Sequence, residues 1–206
     1  DWKSVVVLGA GAVGVCCALE LQRLGANVTL MDRKPPGSET SFGNAGVLSR
    51  SSLVPFNNPG LPSALPRMLM RGSNQLRVNP AYLLREAVWV KDYLANSRSE
   101  TFDATCTALN SLIELSLSEH RRLVGLAQAQ QHWRDTGWLM LYRSEAAFAG
   151  SLLARDAYRK FGVRHQVLDA SMLRDLEPHL APMFERALWI QDAASVDDPG
   201  RMVQKY

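Results

Sequence analysis

The chain is 206 residues long, with 23 basic and 20 acidic side chains and a formal net charge of +3. That balance is too even for a nucleic-acid-binding surface, and 47% hydrophobic with 21% charged residues describes a globular chain, not a disordered or fibrous one. No apolar run approaches the roughly 18 residues that a bilayer span requires.

Asp1 stands where an initiator Met is ordinary, which reads as processing or trimming, and Trp2 and Lys3 lead straight into a strand without a signal-peptide pattern. Val5 to Leu8 are consecutive β-formers. They run into Gly9-Ala10-Gly11-Ala12-Val13-Gly14, then an apolar-periodic helix through Leu24 closed by Gly25, then a second strand from Asn27 to Asp32. The result is a complete β-α-β unit. In it Gly9 makes the tight exit from the strand, Gly11 lets a pyrophosphate approach the backbone, and Gly14 lets helix and strand pack closely. Phosphates would sit on the N–H groups and positive dipole end of the helix, whose first turn holds Ala12 and Val13. Asp32 lies 23 residues after Gly9, where a carboxylate can accept both hydroxyl hydrogens of an adenosine ribose and would repel a 2′-phosphate. The unit predicts dinucleotide binding and leaves the choice of dinucleotide open.

Arg33-Lys34-Pro35-Pro36-Gly37-Ser38-Glu39-Thr40-Ser41-Phe42-Gly43-Asn44-Ala45-Gly46 follows, too rich in Pro, Gly, Ser and Asn for regular structure. A nicotinamide enzyme has no use for such a loop at this point. The GAGAVG turn, the Asp32-Arg33 pair and PPGSETSFGNAG together resemble the FAD-dependent amine and amino-acid oxidoreductases related to D-amino-acid oxidase, glycine oxidase and sarcosine oxidase. The nearest likeness is to the branch holding the bacterial D-amino-acid dehydrogenase small subunit. The resemblance implies FAD as cofactor, with the loop passing along the pyrophosphate and ribityl chain to the flavin ring. It further implies hydroxyl contacts from Thr40 and Ser41 to phosphate, and contacts from Asn44, Ala45 and Gly46 near the isoalloxazine.

Leu48 to Pro80 reads as a proline-broken, greasy connection, with Pro55, Pro59, Pro62, Pro66 and Pro80. Between Leu61 and Arg98, Arg67, Arg71, Arg77, Arg85, Lys91 and Arg98 face only Glu86 and Asp92, interleaved with Tyr82, Trp89 and Tyr93. Basic and aromatic residues so mixed describe a membrane-surface segment; the favoured reading is a helix over Ala81 to Leu94 whose apolar side packs inward. Helices follow at Ala104 to about Gln131 and at Ala146 to Phe161, with a Gly162 cap and a turn at Ser171 to Leu176. Strands are expected at Gly137 to Tyr142, Arg164 to Leu168 and Ala187 to Gln191, in a mixed α+β layer. His120 and His132, without a nucleophile or carboxylate constellation, read as solvated or hydrogen-bonded. Cys16 and Cys17 read as small core residues; with Cys106 they form no disulfide framework or metal pattern, and a reducing cytoplasm is inferred.

In this layer Gly137-Trp138-Leu139, Phe161-Gly162-Val163, Leu168-Asp169, Leu173, Glu177-Pro178, Ala187-Leu188 and Asp198-Pro199-Gly200-Arg201 fall in the family's order and extend the resemblance over the chain. It implies that Pro199 onward begins a helix re-entering the flavin domain. The expected fold is α/β: a Rossmann-like FAD domain (residues 1–60, resuming at 197–206) interrupted by an α+β substrate domain (61–196). The implied activity is oxidation of a D-amino acid or proline-like imino acid, with hydride passing to flavin; the sequence offers no catalytic residue. Two alternatives stand beside it: a flavin-binding subunit completed by a second chain, and an NAD-dependent dehydrogenase. One β-α-β unit supplies only half of a doubly wound sheet, so the 206 residues are expected not to be a self-sufficient enzyme.

Overall fold

The computed structural model describes residues 4–69 and 79–206; Trp2, Lys3, Arg71, Gly72 and Arg77 lie outside them. Strand β1 (Val5–Leu8), helix α1 (Ala12–Arg23) and strand β2 (Val28–Met31) form the predicted unit, β1 and β2 pairing in parallel from Val5↔Val28 to Leu8↔Met31. Alternation puts Val5, Val7, Val28 and Leu30 half-buried on one side. Val6, Leu8 and Met31 point the other way and are exposed, Leu8 by 80%.

After the loop come β3 (Val47–Ser49), a 3-10 turn (Arg50–Leu53), α2 (Leu61–Leu69), α3 (Pro80–Arg85), α4 (Ala87–Ala95) and the 28-residue α5 (Ser99–Leu126). The mixed layer continues with β4 (Trp133–Arg134), β5 (Trp138–Tyr142), α6 (Glu145–Ala149), α7 (Leu152–Lys160), β6 (His165–Asp169), α8 (Ala170–Leu176), β7 (Arg186–Ile190), β8 (Ala193–Val196) and α9 (Pro199–Lys205). Two antiparallel sheets result, β3-β8-β4 and β5-β7-β6. The inner face of the second packs Leu188 and Ile190 on Leu53, Phe102, Cys106 and Tyr158, and its other face packs Leu168 and Ala187 on Leu173.

Several sequence expectations need correction. The prolines after Leu48 do not prevent α2: Pro62 sits in the first turn, where a backbone donor has no partner to lose, and Pro66 gives up one hydrogen bond. The helix over Ala81 to Leu94 is two helices, broken at Glu86, and neither buries a residue. Its apolar residues divide: Leu84 is 81%, Val88 75% and Trp89 61% exposed, while Val90, Tyr93 and Leu94 are half-buried as expected. Helix α5 starts at Ser99 and ends at Leu126, followed by Gln128 at φ 49°. Ala146 to Phe161 is interrupted at Gly150-Ser151, and Cys17 is exposed, leaving Cys106 as the fully buried cysteine. The short strands β3, β4 and β8 were not expected.

One polar junction fastens the entry of the mixed layer to its exit. The Arg50 guanidinium donates to Asn110 Oδ1 at 3.0 Å and to the Phe161 carbonyl at 2.9 Å. It also lies 3.5 Å from Asp192, whose carboxylate accepts from Arg164 Nε at 2.6 Å. The Arg50 and Asp192 side chains are only 14% and 12% exposed. Truncating one member of a nearly buried pair strands its partner, so Arg50→Met is expected to cost about 3 kcal/mol of stability. A urea denaturation midpoint checks this; a loss below about 1 kcal/mol would show the junction to be peripheral.

Candidate functional site

The first unit is closed by its own backbone. Helix α1 presses so tightly on the end of β1 that a Cβ on Gly14 would lie 1.8 Å from the Gly9 carbonyl oxygen, which is the close helix–strand approach that the third glycine permits. At the end of β2, Asp32 reaches back: its Oδ2 accepts from Ala10 N at 2.6 Å and its Oδ1 from Lys34 N at 3.0 Å. Those amides, Ala10 first, hold the Asp32 carboxyl below the usual carboxylate range. Two acceptor positions of the carboxylate are thereby used and two remain.

The loop then folds onto the start of α1. Ser41 Oγ accepts from Ala12 N at 2.9 Å, and a Cβ on Gly11 would touch that oxygen at 3.4 Å. Asn44 shapes the exit, its Nδ2 donating to the Ser41 carbonyl at 3.1 Å and its Oδ1 accepting from Gly46 N at 2.7 Å. Gly46 has φ 64°, and a Cβ there would meet the Val196 carbonyl oxygen at 2.3 Å; that contact excludes any other residue.

Strand pairing brings the far end of the chain to the same place. β3 directly follows the loop and β8 directly precedes α9, and the two pair through Val47↔Ser195 and Ser49↔Ala193. Asp198 caps α9 by accepting from Arg201 N at 2.8 Å, with Pro199 at the first helical position. Val203 of that helix then packs with Ala10 and Val15.

A cavity of about 170 Å³ lies at this meeting point, walled by Ala12, Ser41, Asn44 and Gly46 on one side and by Val196, Pro199, Met202, Val203, His120 and Tyr206 on the other. Gly9, Gly11, Gly14 and Asp32 do not line it; Gly11 reaches it only through its neighbour Ala12 and through Ser41. Val13 is 78% exposed, and Thr40 and Ala45 are exposed outside the wall. Arg33 lies 3.1 Å from Glu39, as Lys34 does at 2.8 Å, surface pairs of little energetic weight. His120, expected from the sequence to be solvated or hydrogen-bonded, is hydrogen-bonded, 2.9 Å from the Tyr206 hydroxyl; what the sequence reading missed is that the two residues meet in this wall. They are 86 positions apart, and nothing local to either marks the encounter.

The profile of the DAO family, described as FAD dependent oxidoreductase, matches residues 4–206. The chain belongs to that family. Among its relatives, D-amino-acid oxidase of Bradyrhizobium diazoefficiens is 33% identical over 206 residues, 98% of this chain and 49% of the relative. D-amino acid dehydrogenase 1 of Mesorhizobium japonicum is 30% identical over 183 residues, 88% of this chain and 44% of the relative. The chain thus spans about half the length of the curated relatives it matches. Glycine oxidase of Bacillus cereus shares the fold, with a TM-score of 0.58 at 16% identity over 100% of this chain and 42% of that one. The α/β, Rossmann-like architecture and FAD as the family's cofactor follow from this membership.

The wall suits the middle of FAD. Hydroxyl, amide and glycine backbone groups at a helix N-terminus match a diphosphate, while about 170 Å³ is well under the roughly 300 Å³ at which whole-ligand pockets begin. Among the described residues, no group of three or more His, Cys, Asp or Glu could hold a metal ion.

The site also sets an acid limit. Burial holds His120 below its ordinary value near 6.5, so the unfolded chain takes up a proton that the folded chain refuses. Stability is full above about 6.5 and declines as pH falls through the window below it. Asp32 acts in the same direction further down, its contribution being present above the ordinary carboxylate range and lost as pH falls through its depressed value. Thermal midpoints measured against pH should decline through both ranges, the lower one shared with Glu20, Glu39, Asp135, Asp169 and Asp197, which are also held low, and His120→Gln should flatten only the upper one.

Proposed function

We propose that the chain is the FAD-holding and partly substrate-holding portion of an enzyme that oxidises the carbon–nitrogen bond of an amino acid, a D-amino acid or a proline-like imino acid. The observation that carries the reading is the convergence of glycine turn, loop and α9 on one cavity. The names of the relatives, D-amino-acid oxidase and D-amino acid dehydrogenase, supply the substrate class. FAD, when bound, supplies the hydride acceptor. The chain's own residues bind and orient it: Gly9, Gly11, Gly14, Ala12 and Val13 at the phosphates, Asp32 at the ribose, Arg33 beside it, Thr40 and Ser41 on phosphate, and Asn44, Ala45 and Gly46 toward the ring. In domain terms 1–60 and 197–206 are assigned to the FAD domain and 61–196 to the substrate domain, with Arg50 and Leu53 at the boundary reaching into the substrate domain.

The open face of β1 and β2 supports a second element of the proposal. Doubly wound sheets are covered on both faces, whereas Val6, Leu8 and Met31 are exposed here. Further chain, of the same or a second polypeptide, covers them and completes the enzyme. Dye reduction with a panel of D-amino acids and imino acids tests this. The completed protein should turn over and the isolated 206 residues with added FAD should not; robust turnover by the isolated chain would overturn the need for completion.

No helix among the described residues is long and apolar enough to cross a membrane. A cytoplasmic protein that touches the membrane surface through α3 and α4 is the reading favoured by their uncovered Leu84, Val88 and Trp89 beside Arg85 and Lys91. Cosedimentation with anionic vesicles should then weaken as salt rises. Binding that is absent or indifferent to salt would count against it.

A further inference from the structure

The cavity beside the turn has a polar contact that the dinucleotide motifs do not supply. His120, far along α5, and Tyr206, just past α9, meet there, His120 Nδ1 lying 2.9 Å from the Tyr206 hydroxyl with the rings 5.8 Å apart at 30°. Apart from Ser41 and Asn44, the other wall residues carry no polar side chain. We propose that His120 is a cofactor-binding residue, whose Nε2–H, fixed as a donor by the Tyr206 hydroxyl on Nδ1, contacts the oxygen-rich diphosphate and ribityl stretch of FAD.

An uncharged imidazole donates at one nitrogen and accepts at the other. Burial pushes Tyr206 up to about 12 and His120 down, so near neutrality the phenol keeps its hydrogen and the imidazole carries one. In the tautomer proposed here the phenol hydrogen goes to Nδ1, 2.9 Å away. The imidazole hydrogen is then left on Nε2, which has no protein partner among the described residues. His120 lines the cavity and is only half-buried, so that N–H is open to water in the free protein, and the phosphate and hydroxyl oxygens of this stretch of FAD are acceptors that would take the water's place. Tyr206 is the positioning residue, acting through the tautomer it imposes.

The inference rests on FAD lying at the glycine turn, and the test separates the two claims. FAD is titrated into the protein and into His120→Gln, His120→Leu, Tyr206→Phe and Gly11→Val, following flavin fluorescence, and the unfolding midpoint of each apo protein is recorded. Gln keeps an N–H near the Nε2 position, whereas Leu keeps only bulk. His120→Leu should weaken FAD about tenfold or more. His120→Gln should stay within about threefold of the starting protein, with Tyr206→Phe between them. Affinities that follow the apo midpoints, or Gln no better than Leu, would reduce His120 to a packing residue and overturn the proposal. So would His120→Leu at starting affinity while Gly11→Val fails, a result that leaves the FAD site itself intact. A starting protein that takes up no FAD, or Gly11→Val at unchanged affinity, overturns the placement of FAD and the proposal with it.

Discussion

Gly14→Val is expected to unfold the first unit and to abolish FAD uptake. The new Cβ would stand 1.8 Å from the Gly9 carbonyl oxygen, a backbone atom that no rotamer change can move, so α1 must lift off β1. Two branches on that carbon add to the displacement. Overpacking of this kind costs about 3 kcal/mol or more, and the lifted helix would also lose the contact of Val15 with Ala10 and Val203. A urea titration read by circular dichroism, paired with FAD binding, checks both effects. A variant with the starting midpoint and affinity would mean that helix and strand do not approach as described.

Asp32→Ala should lower FAD affinity on the order of a hundredfold or more, since two hydrogen bonds to a charged acceptor are lost together. The structure gives the loss a second source. Asp32 also holds the turn through Ala10 N at 2.6 Å and Lys34 N at 3.0 Å, so its removal loosens the loop that carries the other contacts. Asp32→Asn keeps one carbonyl acceptor and should fall between. Unchanged flavin occupancy in Asp32→Ala would remove the carboxylate from the site.

How much of this was legible in the sequence follows from how local each signal is. The β-α-β unit is legible because its glycines, strands and acid lie within one short stretch and each has a separate physical task. The caps of α8 and α9 are equally local, Asp169 accepting from Ser171 N at 2.8 Å and Asp198 from Arg201 N at 2.8 Å, although the sequence reading named neither. Strand β8, by contrast, is a four-residue Ala-Ala-Ser-Val run with no alternating pattern, and only its pairing with β3 and β4 makes it a strand. Helix α2 was hidden by Pro62 and Pro66, because proline costs depend on position in the turn, which sequence alone leaves open. The cavity wall was half legible. Ser41, Asn44 and Gly46 stand in a loop whose composition marks it, but His120 and Tyr206 meet through the long-range packing of α5 and α9.

The central claim is that this glycine turn and loop lodge FAD and not a nicotinamide dinucleotide. Visible absorption of the protein after equilibration with FAD and NAD together, followed by gel filtration, tests it most directly. One flavin retained per chain with no NAD, and no flavin on Gly11→Val, is the predicted result; retention of NAD in place of flavin would contradict the account.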